Sequence, residues 1–142
     1  MDDDLSIGSV DDTLSGCSSD DDLVGTDEYL SPEMLKKQES SYGTDLWALG
    51  VILYQMLTGE TPFYRKNIEK THQAIINCQF KIPETISEEA ADLIRCLLQP
   101  DAKKRLGNGS ILDLKAHAFF AGLDFSTLYR MKVPMDLELT RE

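Results

Sequence analysis

One long apolar stretch organises the chain and reads Thr44-Asp-Leu-Trp-Ala-Leu-Gly-Val-Ile-Leu-Tyr-Gln-Met-Leu-Thr-Gly59. From Leu46 to Leu57 only Gly50 and Gln55 are not apolar. The run is too long for an ordinary strand and too short to cross a bilayer. A helix that is apolar nearly all round has no solvent face. The stretch is therefore predicted to be a central, buried helix against which other helices pack.

The ends and the polar tips of this helix make further predictions. Thr44 or Asp45 can cap its start, and Gly59 stands where a left-handed residue ends a helix. Trp47 and Tyr54 need polar partners for their N–H and O–H groups if they are buried. These residues alone are typical of a core helix in any globular domain.

Charge divides the chain into two unequal parts. The protein has 142 residues and a net charge of −11, and residues 1–22 contain eight Asp and no Lys or Arg. This acidic segment is predicted to be disordered. Ser9, Ser18 and Ser19 each precede an Asp by three residues, as in sites for acidophilic kinases, but a solvated acidic tail is the favoured interpretation. The remainder is nearly balanced, and no basic stripe indicates nucleic-acid binding.

The cysteines and the N-terminus indicate the compartment. Cys17, Cys78 and Cys96 are odd in number and widely spaced, so they predict neither a disulfide framework nor a metal site and suit a reducing cytosol. The N-terminus is acidic and lacks the apolar core of a signal peptide, and no transmembrane segment is predicted.

The rest of the chain is predicted to be helical. Ser31 and Pro32 fit the start of a short helix, and Ser87 caps a strong amphipathic one. An apolar face that includes His72 marks another helix, where His72 is interpreted as packed rather than catalytic. A final helical piece is predicted from Ile111 to Phe120. The pattern favours a mainly α fold without strands.

Several landmarks occur in an order typical of one family. They are Gly25-Thr26, Tyr29, Ser31-Pro32-Glu33, Asp45-Leu46-Trp47-Ala48-Leu49-Gly50, Pro62-Phe63 and Arg105. Together they resemble the C-terminal part of a eukaryotic Ser/Thr protein kinase domain. The resemblance implies an incomplete kinase large lobe over residues 23–129, after the acidic segment 1–22 and before a tail at 130–142.

Two further features are similar to a subgroup of these kinases. Arg105-Leu106-Gly107, followed by Lys115-Ala116-His117-Ala118-Phe119-Phe120, resembles the AGC group. Within that group, Ser31 and Gln55 resemble the phosphoinositide-dependent protein kinase, because most members would have Ala and Glu at these positions.

The resemblance implies roles for the landmark residues. Gly25, Thr26 and Tyr29 resemble the loop that faces the protein substrate, and the Thr26 hydroxyl would brace the catalytic residues. Glu33 is similar to a glutamate that pairs with a buried arginine, here Arg105, and clamps this loop to the lobe.

The central helix would carry the other structural landmarks. Asp45 resembles the aspartate that holds the catalytic loop's backbone, and Trp47 and Gly50 belong to the same motif. Without the surrounding motifs, Glu33 and Asp45 would be interpreted as a surface charge and a helix cap.

The acidic segment would lie in the activation segment as an insert. Asp22 occupies the position where this family usually carries its activating phosphoserine, and its carboxylate would supply part of that charge without phosphorylation. Ser18 or Ser19 are the alternatives for this position.

The residues that perform phosphoryl transfer are missing from the sequence. It has no Gly-rich loop, no Val-Ala-Ile-Lys strand, no His-Arg-Asp, and Asp124-Phe125 is followed by Ser126 rather than Gly. No catalytic, cofactor-binding or metal-binding residue is therefore predicted in this chain, and ATP and Mg²⁺ are expected only for a full-length parent.

Two interpretations of function follow. In the favoured one, the chain is part of a cytoplasmic Ser/Thr kinase, and its partners are protein substrates or the missing N-terminal part of the kinase. In the other, the chain is a stand-alone, non-catalytic interaction or scaffold module.

Overall fold

The computed structural model describes residues 27–132. Five α-helices and three short 3-10 helices form this part of the chain, and it contains no strand. The α-helices are α1 (Pro32–Leu35), α2 (Tyr42–Thr58), α3 (Ile68–Ile76), α4 (Glu88–Leu97) and α5 (Ile111–Lys115). The 3-10 helices are Ala102–Lys104, Ala118–Phe120 and Leu128–Arg130. The predicted mainly helical fold is confirmed.

Helix α2 begins earlier than the sequence predicted. Its N-cap is Ser41, and the Ser41 backbone N–H donates to the Thr44 hydroxyl oxygen at 2.9 Å. Thr44 therefore stabilises the first turn from inside the helix, as in half of a capping box, instead of preceding it. The other end is as predicted, because Gly59 ends the helix with a φ of 83°, a conformation that other residues rarely adopt.

One side of α2 packs closely on α4. Gly50 allows the approach, since a Cβ at this position would lie 2.9 Å from the Leu97 Cβ. Leu46, Trp47 and Val51 are buried on the same side. A side chain larger than hydrogen at position 50 would force the two helices apart.

The opposite side of α2 contradicts the prediction of a helix buried all round. Leu49 is 40%, Ile52 44% and Met56 77% exposed. With α4 and the 3-10 helix Ala118–Phe120, this side forms an apolar groove of about 130 Å³. It is lined by Leu49, Ile52, Leu53, Met56, Leu93, Leu97, Phe119 and Phe120. We call these residues the apolar groove.

Aromatic rings fill the core beside the buried side of α2. Trp47 stacks on Phe63 with the ring centroids 5.1 Å apart, and Phe80 meets Phe63 edge-on at 5.6 Å. Tyr54 donates its O–H to the Lys81 carbonyl at 2.7 Å, as its burial required. The same expectation fails for Trp47, whose buried Nε1 has no hydrogen-bond partner among residues 27–132.

The last helices follow their capping signals with one correction. The Ser87 hydroxyl accepts the Ala90 N–H at the start of α4, as predicted. The single helical piece predicted up to Phe120 is instead α5 followed by a separate 3-10 helix, for which His117 is the N-cap. Within residues 27–132, no helix combines the length and the apolar character needed to span a membrane.

Candidate functional site

The candidate site is centred on a buried ion pair between Glu33 and Arg105, which lie 72 positions apart. The Arg105 Nη1 and Nη2 atoms donate to the two carboxylate oxygens of Glu33 at 2.7 and 2.9 Å. The side chain of Arg105 is 0% exposed, and that of Glu33 is 9% exposed. Two parallel hydrogen bonds of this kind fix orientation as well as distance.

Local structure places each partner of this pair. Glu33 is in the first turn of α1, where Ser31 caps the helix and Pro32 has the backbone angle suited to its first position. Arg105 directly follows the 3-10 helix Ala102–Lys104, which Asp101 caps. Both segments are short, and the ion pair is a direct side-chain contact between them.

Arg105 also bonds to the backbone around it. Its Nε donates to the Gln99 carbonyl and its Nη1 to the Gly43 carbonyl, both at 2.8 Å. Its guanidinium lies 4.9 Å from the centre of the Trp47 ring, within range of a cation–π contact. One side chain therefore joins α1, the start of α2 and the segment after α4.

The glycine and the hydroxyl next to the pair complete the arrangement. A Cβ on Gly43 would lie 2.7 Å from the Ala102 carbonyl oxygen, so only glycine lets its carbonyl approach Arg105 in this way. The Thr44 hydroxyl donates to the Glu33 Oε2 at 3.0 Å. Glu33 thus accepts hydrogen bonds from two side chains.

These contacts determine the ionisation of Glu33. Burial by itself would raise the pKa of its carboxyl group. The hydrogen bonds and positive charge of Arg105, with the Thr44 hydroxyl, outweigh burial and lower the pKa from 4.5 to about 2. Glu33 is consequently an anion in the folded protein at every pH near neutrality.

Only part of the predicted substrate-facing loop can be placed. Gly25 and Thr26 lie outside the described residues, as do the activation-site candidates Asp22, Ser18 and Ser19. Tyr29 is half-buried, and its O–H donates to the Gln55 side-chain carbonyl of α2 at 2.5 Å. Gln55 therefore contacts the loop directly, a role that its position in an apolar helix did not indicate.

The structure adds two contacts that sequence reasoning missed. The His72 Nε2 of α3 lies 3.2 Å from the Asp27 carboxylate, so His72 is not simply packed in the core. The Thr61 hydroxyl donates a hydrogen bond to the Glu28 carboxylate. No local pattern signals these pairs, because the partners are 45 and 33 positions apart.

The landmarks of the central helix differ in their surroundings. Trp47 and Gly50 are buried, whereas Asp45 is exposed in the first turn of α2. At that place its negative charge interacts favourably with the helix dipole.

A second cluster of titratable groups lies on α4 and the 3-10 helix after α5. Asp92, Cys96 and His117 place one ligand atom each within 4.8 Å of one another, although no metal site was predicted. The His117 Nε2 faces Asp92 at 2.8 Å, and its Nδ1 accepts the Phe119 N–H at 3.0 Å. A metal on Nε2 would require a proton on Nδ1, which would then oppose the Phe119 N–H. The arrangement therefore favours a histidine that caps a helix over a metal ligand.

The thiols described by the structure are weakly acidic. Cys78 and Cys96 are both free. Burial raises the pKa of Cys78, and burial with the neighbouring Asp92 charge raises that of Cys96. Neither environment favours the thiolate that a reactive cysteine needs.

Comparison with known proteins agrees with this architecture. The family model described as "Protein kinase domain" matches residues 9–120. The chain is 39% identical over 113 residues to ribosomal protein S6 kinase 2 beta of Xenopus laevis, covering 78% of this chain and 18% of the relative. It is 40% identical over 111 residues to the serine/threonine-protein kinase gad8 of Schizosaccharomyces pombe, covering 78% and 20%. It is 41% identical over 121 residues to the human serine/threonine-protein kinase MRCK beta, covering 78% and 7%.

These relatives are AGC-group kinases, in agreement with the group-level resemblance. The chain spans 7 to 20% of the length of these three relatives. The family match covers most of the chain, including both partners of the buried ion pair. The chain therefore belongs to the protein kinase domain family and is a helical piece of such a domain.

Proposed function

We propose that this chain is the substrate-facing and scaffolding part of a Ser/Thr protein kinase. The parent, meaning a longer protein that also carries the upstream kinase motifs, would transfer the γ-phosphoryl group of Mg–ATP to Ser or Thr in protein substrates. The observation that carries the proposal is the buried, doubly hydrogen-bonded pair of Glu33 and Arg105.

The ion pair suits a clamp on the substrate-facing loop. Glu33 is only four positions after Tyr29, and Arg105 holds it against the start of α2 and the segment after α4. A loop fixed in this way presents its backbone to a peptide without an ordering cost at the moment of binding. The clamp thus contributes to substrate positioning and not to the chemistry itself.

We propose that the chain alone does not transfer phosphate. Its sequence lacks the motifs that hold ATP, bind Mg²⁺ and orient the hydroxyl. In the proposed parent, those groups would come from residues preceding the loop, and ATP and Mg²⁺ would bind there. The partners of this chain would be that upstream part and the protein substrates.

The apolar groove supports a fragment over a stand-alone module. Helix α2 packs on α4 with one side only. On its other side Leu49, Ile52 and Met56 are exposed and line the apolar groove. A self-sufficient module would be expected to bury an apolar surface of this kind on its longest helix. The exposed side of α2 is where further chain would be needed.

At the subfamily level, we propose similarity to the phosphoinositide-dependent protein kinase. Ser31 caps α1 and is fully buried, and Gln55 accepts the Tyr29 hydroxyl, so both distinguishing residues lie at the loop. The free Cys78 and Cys96 are compatible with the cytoplasmic location that we propose for the parent.

The experiment compares residues 1–142 with the parent in a peptide phosphorylation assay with Mg–ATP. We expect phosphorylation only by the parent. Glu33→Ala in the parent should lower activity, while Glu69→Ala, an exposed carboxylate on α3, serves as the matched control. Phosphorylation by the isolated chain above a buffer control, or an inactive parent, would overturn the proposal.

A further inference from the structure

Two consecutive carboxylates after Thr26 are each held by a different part of the lobe. Asp27 is paired with His72 of α3 at 3.2 Å, and their side chains are 17% and 34% exposed. The Glu28 carboxylate accepts a hydrogen bond from the hydroxyl of Thr61, which lies in the connection between α2 and α3. Two adjacent residues therefore tie the end of the substrate-facing loop to the lobe, Asp27 to α3 and Glu28 to the connection that precedes α3.

The Asp27–His72 contact is a directional one. The ring atom facing the carboxylate is Nε2, and it donates a hydrogen bond whether the ring is neutral with its proton there or fully protonated. Partial burial strengthens such a charge-assisted bond relative to one in water. Asp27 also closes the local turn, because its backbone carbonyl accepts the Leu30 N–H at 3.2 Å.

Asp27 is adjacent in sequence to the substrate-facing residues, so the contact with His72 affects their positions. Asp27 directly follows Gly25-Thr26, and Tyr29 lies two residues later. Any displacement of Asp27 would be passed along the backbone to these residues. Helix α3 is held independently by its buried Thr71, Ala74 and Ile75, so it provides a fixed support.

We propose that His72 is a positioning residue for the substrate-facing loop, holding Asp27 so that the loop keeps one backbone conformation for the peptide substrate. This inference deepens the proposed function and rests on it for the identity of the loop. His72 touches neither substrate nor reacting atoms in this role. Thr61 provides the parallel support through Glu28.

The first test measures amide hydrogen exchange of Leu30 by NMR in residues 1–142. His72→Ala should accelerate exchange by about five- to tenfold, the factor expected for one lost hydrogen bond. His72→Gln, whose amide can still donate, should restore most of the protection. Gln73→Ala, an exposed change on the same helix, is the matched control and should leave exchange unchanged.

A second variant tests the same contact from the other residue, in case His72→Ala does not fold. Asp27→Asn keeps the shape but removes the charged acceptor, and it should accelerate exchange in the same direction. Near-UV circular dichroism of the buried Trp47 checks that each variant keeps its core. Unchanged Leu30 exchange in both His72→Ala and Asp27→Asn would overturn the inference.

The second test measures steady-state kinetics in the parent. His72→Ala should raise KM for a peptide substrate by about three- to tenfold, with kcat and the KM for ATP nearly unchanged. His72→Gln should recover the peptide KM. Faster Leu30 exchange without a change in peptide KM would also contradict the positioning role. A parent without phosphotransfer activity would instead refute the proposed function, and the exchange experiment would still decide whether His72 holds the loop.

Discussion

The two sides of α2 have nearly the same apolar character but very different surroundings. Trp47 and Val51 on one side are fully buried against α4 and the aromatic core, whereas Ile52 and Met56 on the other are 44% and 77% exposed. Hydrophobic sequence therefore identifies surface that can be buried, but it does not reveal which neighbour buries it. The difference between the two sides can be tested by four experiments.

The largest change in stability should come from removing a large side chain from the buried side of α2. Trp47→Ala removes a ring that stacks on Phe63 and lies beneath Arg105, and it should destabilise the chain by about 3–5 kcal/mol. Urea unfolding followed by far-UV circular dichroism provides the measurement. Met56→Ala on the exposed side is the control and should change stability by no more than about 0.5 kcal/mol. Equal effects of the two substitutions would contradict the division into two sides.

Breaking the ion pair beside the buried side should cost nearly as much. Glu33→Ala or Arg105→Ala leaves one charge buried without its partner, with an expected loss of about 3–5 kcal/mol. A double-mutant cycle in urea measures the coupling between the two residues. The double replacement should be less destabilising than the sum of the single ones. Zero coupling would show that the pair does not act as a unit.

Acid should weaken the same pair and leave the apolar groove unaffected. Since the pKa of Glu33 is lowered from 4.5 unfolded to about 2 folded, its stabilisation is complete above about pH 4.5 and is lost as the pH falls towards 2. The integrated loss should be about 3 kcal/mol. Stability is measured by urea unfolding between pH 2 and pH 6. Glu33→Gln should flatten this part of the profile, and an unaltered profile would contradict the shift.

The smallest effect on stability, but a clear effect on association, should come from the exposed side. The apolar groove should bind an apolar dye and promote association of residues 1–142. Met56→Lys should reduce both and change unfolding stability by no more than about 0.5 kcal/mol. Light scattering and dye fluorescence provide the measurements. A soluble monomer that does not associate and binds no apolar dye would be inconsistent with an incomplete lobe.

Local chemistry made much of the fold predictable from the sequence. The caps at Ser31 and Ser87 and the C-terminal Gly59 act within a few residues, so they identify helix ends without knowledge of the rest. The start of α2 was mispredicted because Thr44 can serve either as a cap or as the inner partner of Ser41. Only the structure distinguishes these two uses of one hydroxyl.

The candidate site was predictable to a different degree. The family motifs indicated that Glu33 and Arg105 should meet, and the structure shows the further contacts of Arg105 with the Gly43 carbonyl and the Trp47 ring. Motifs carry such long-range information because they represent a whole fold. The contact of Asp27 with His72 belongs to no motif that the sequence displayed, so periodicity gave no sign of it.

The helical character, the main helix ends and the apolar nature of α2 follow from the sequence, because each depends on neighbours a few positions apart. Only the arrangement of the helices in space shows which side of α2 is covered, which carboxylate meets His72, and that the Trp47 Nε1 has no hydrogen-bond partner among residues 27–132. These outcomes depend on distances between segments that are remote in the chain. Such distances result from the simultaneous packing of all the helices, which the local spacing of apolar and capping residues does not specify.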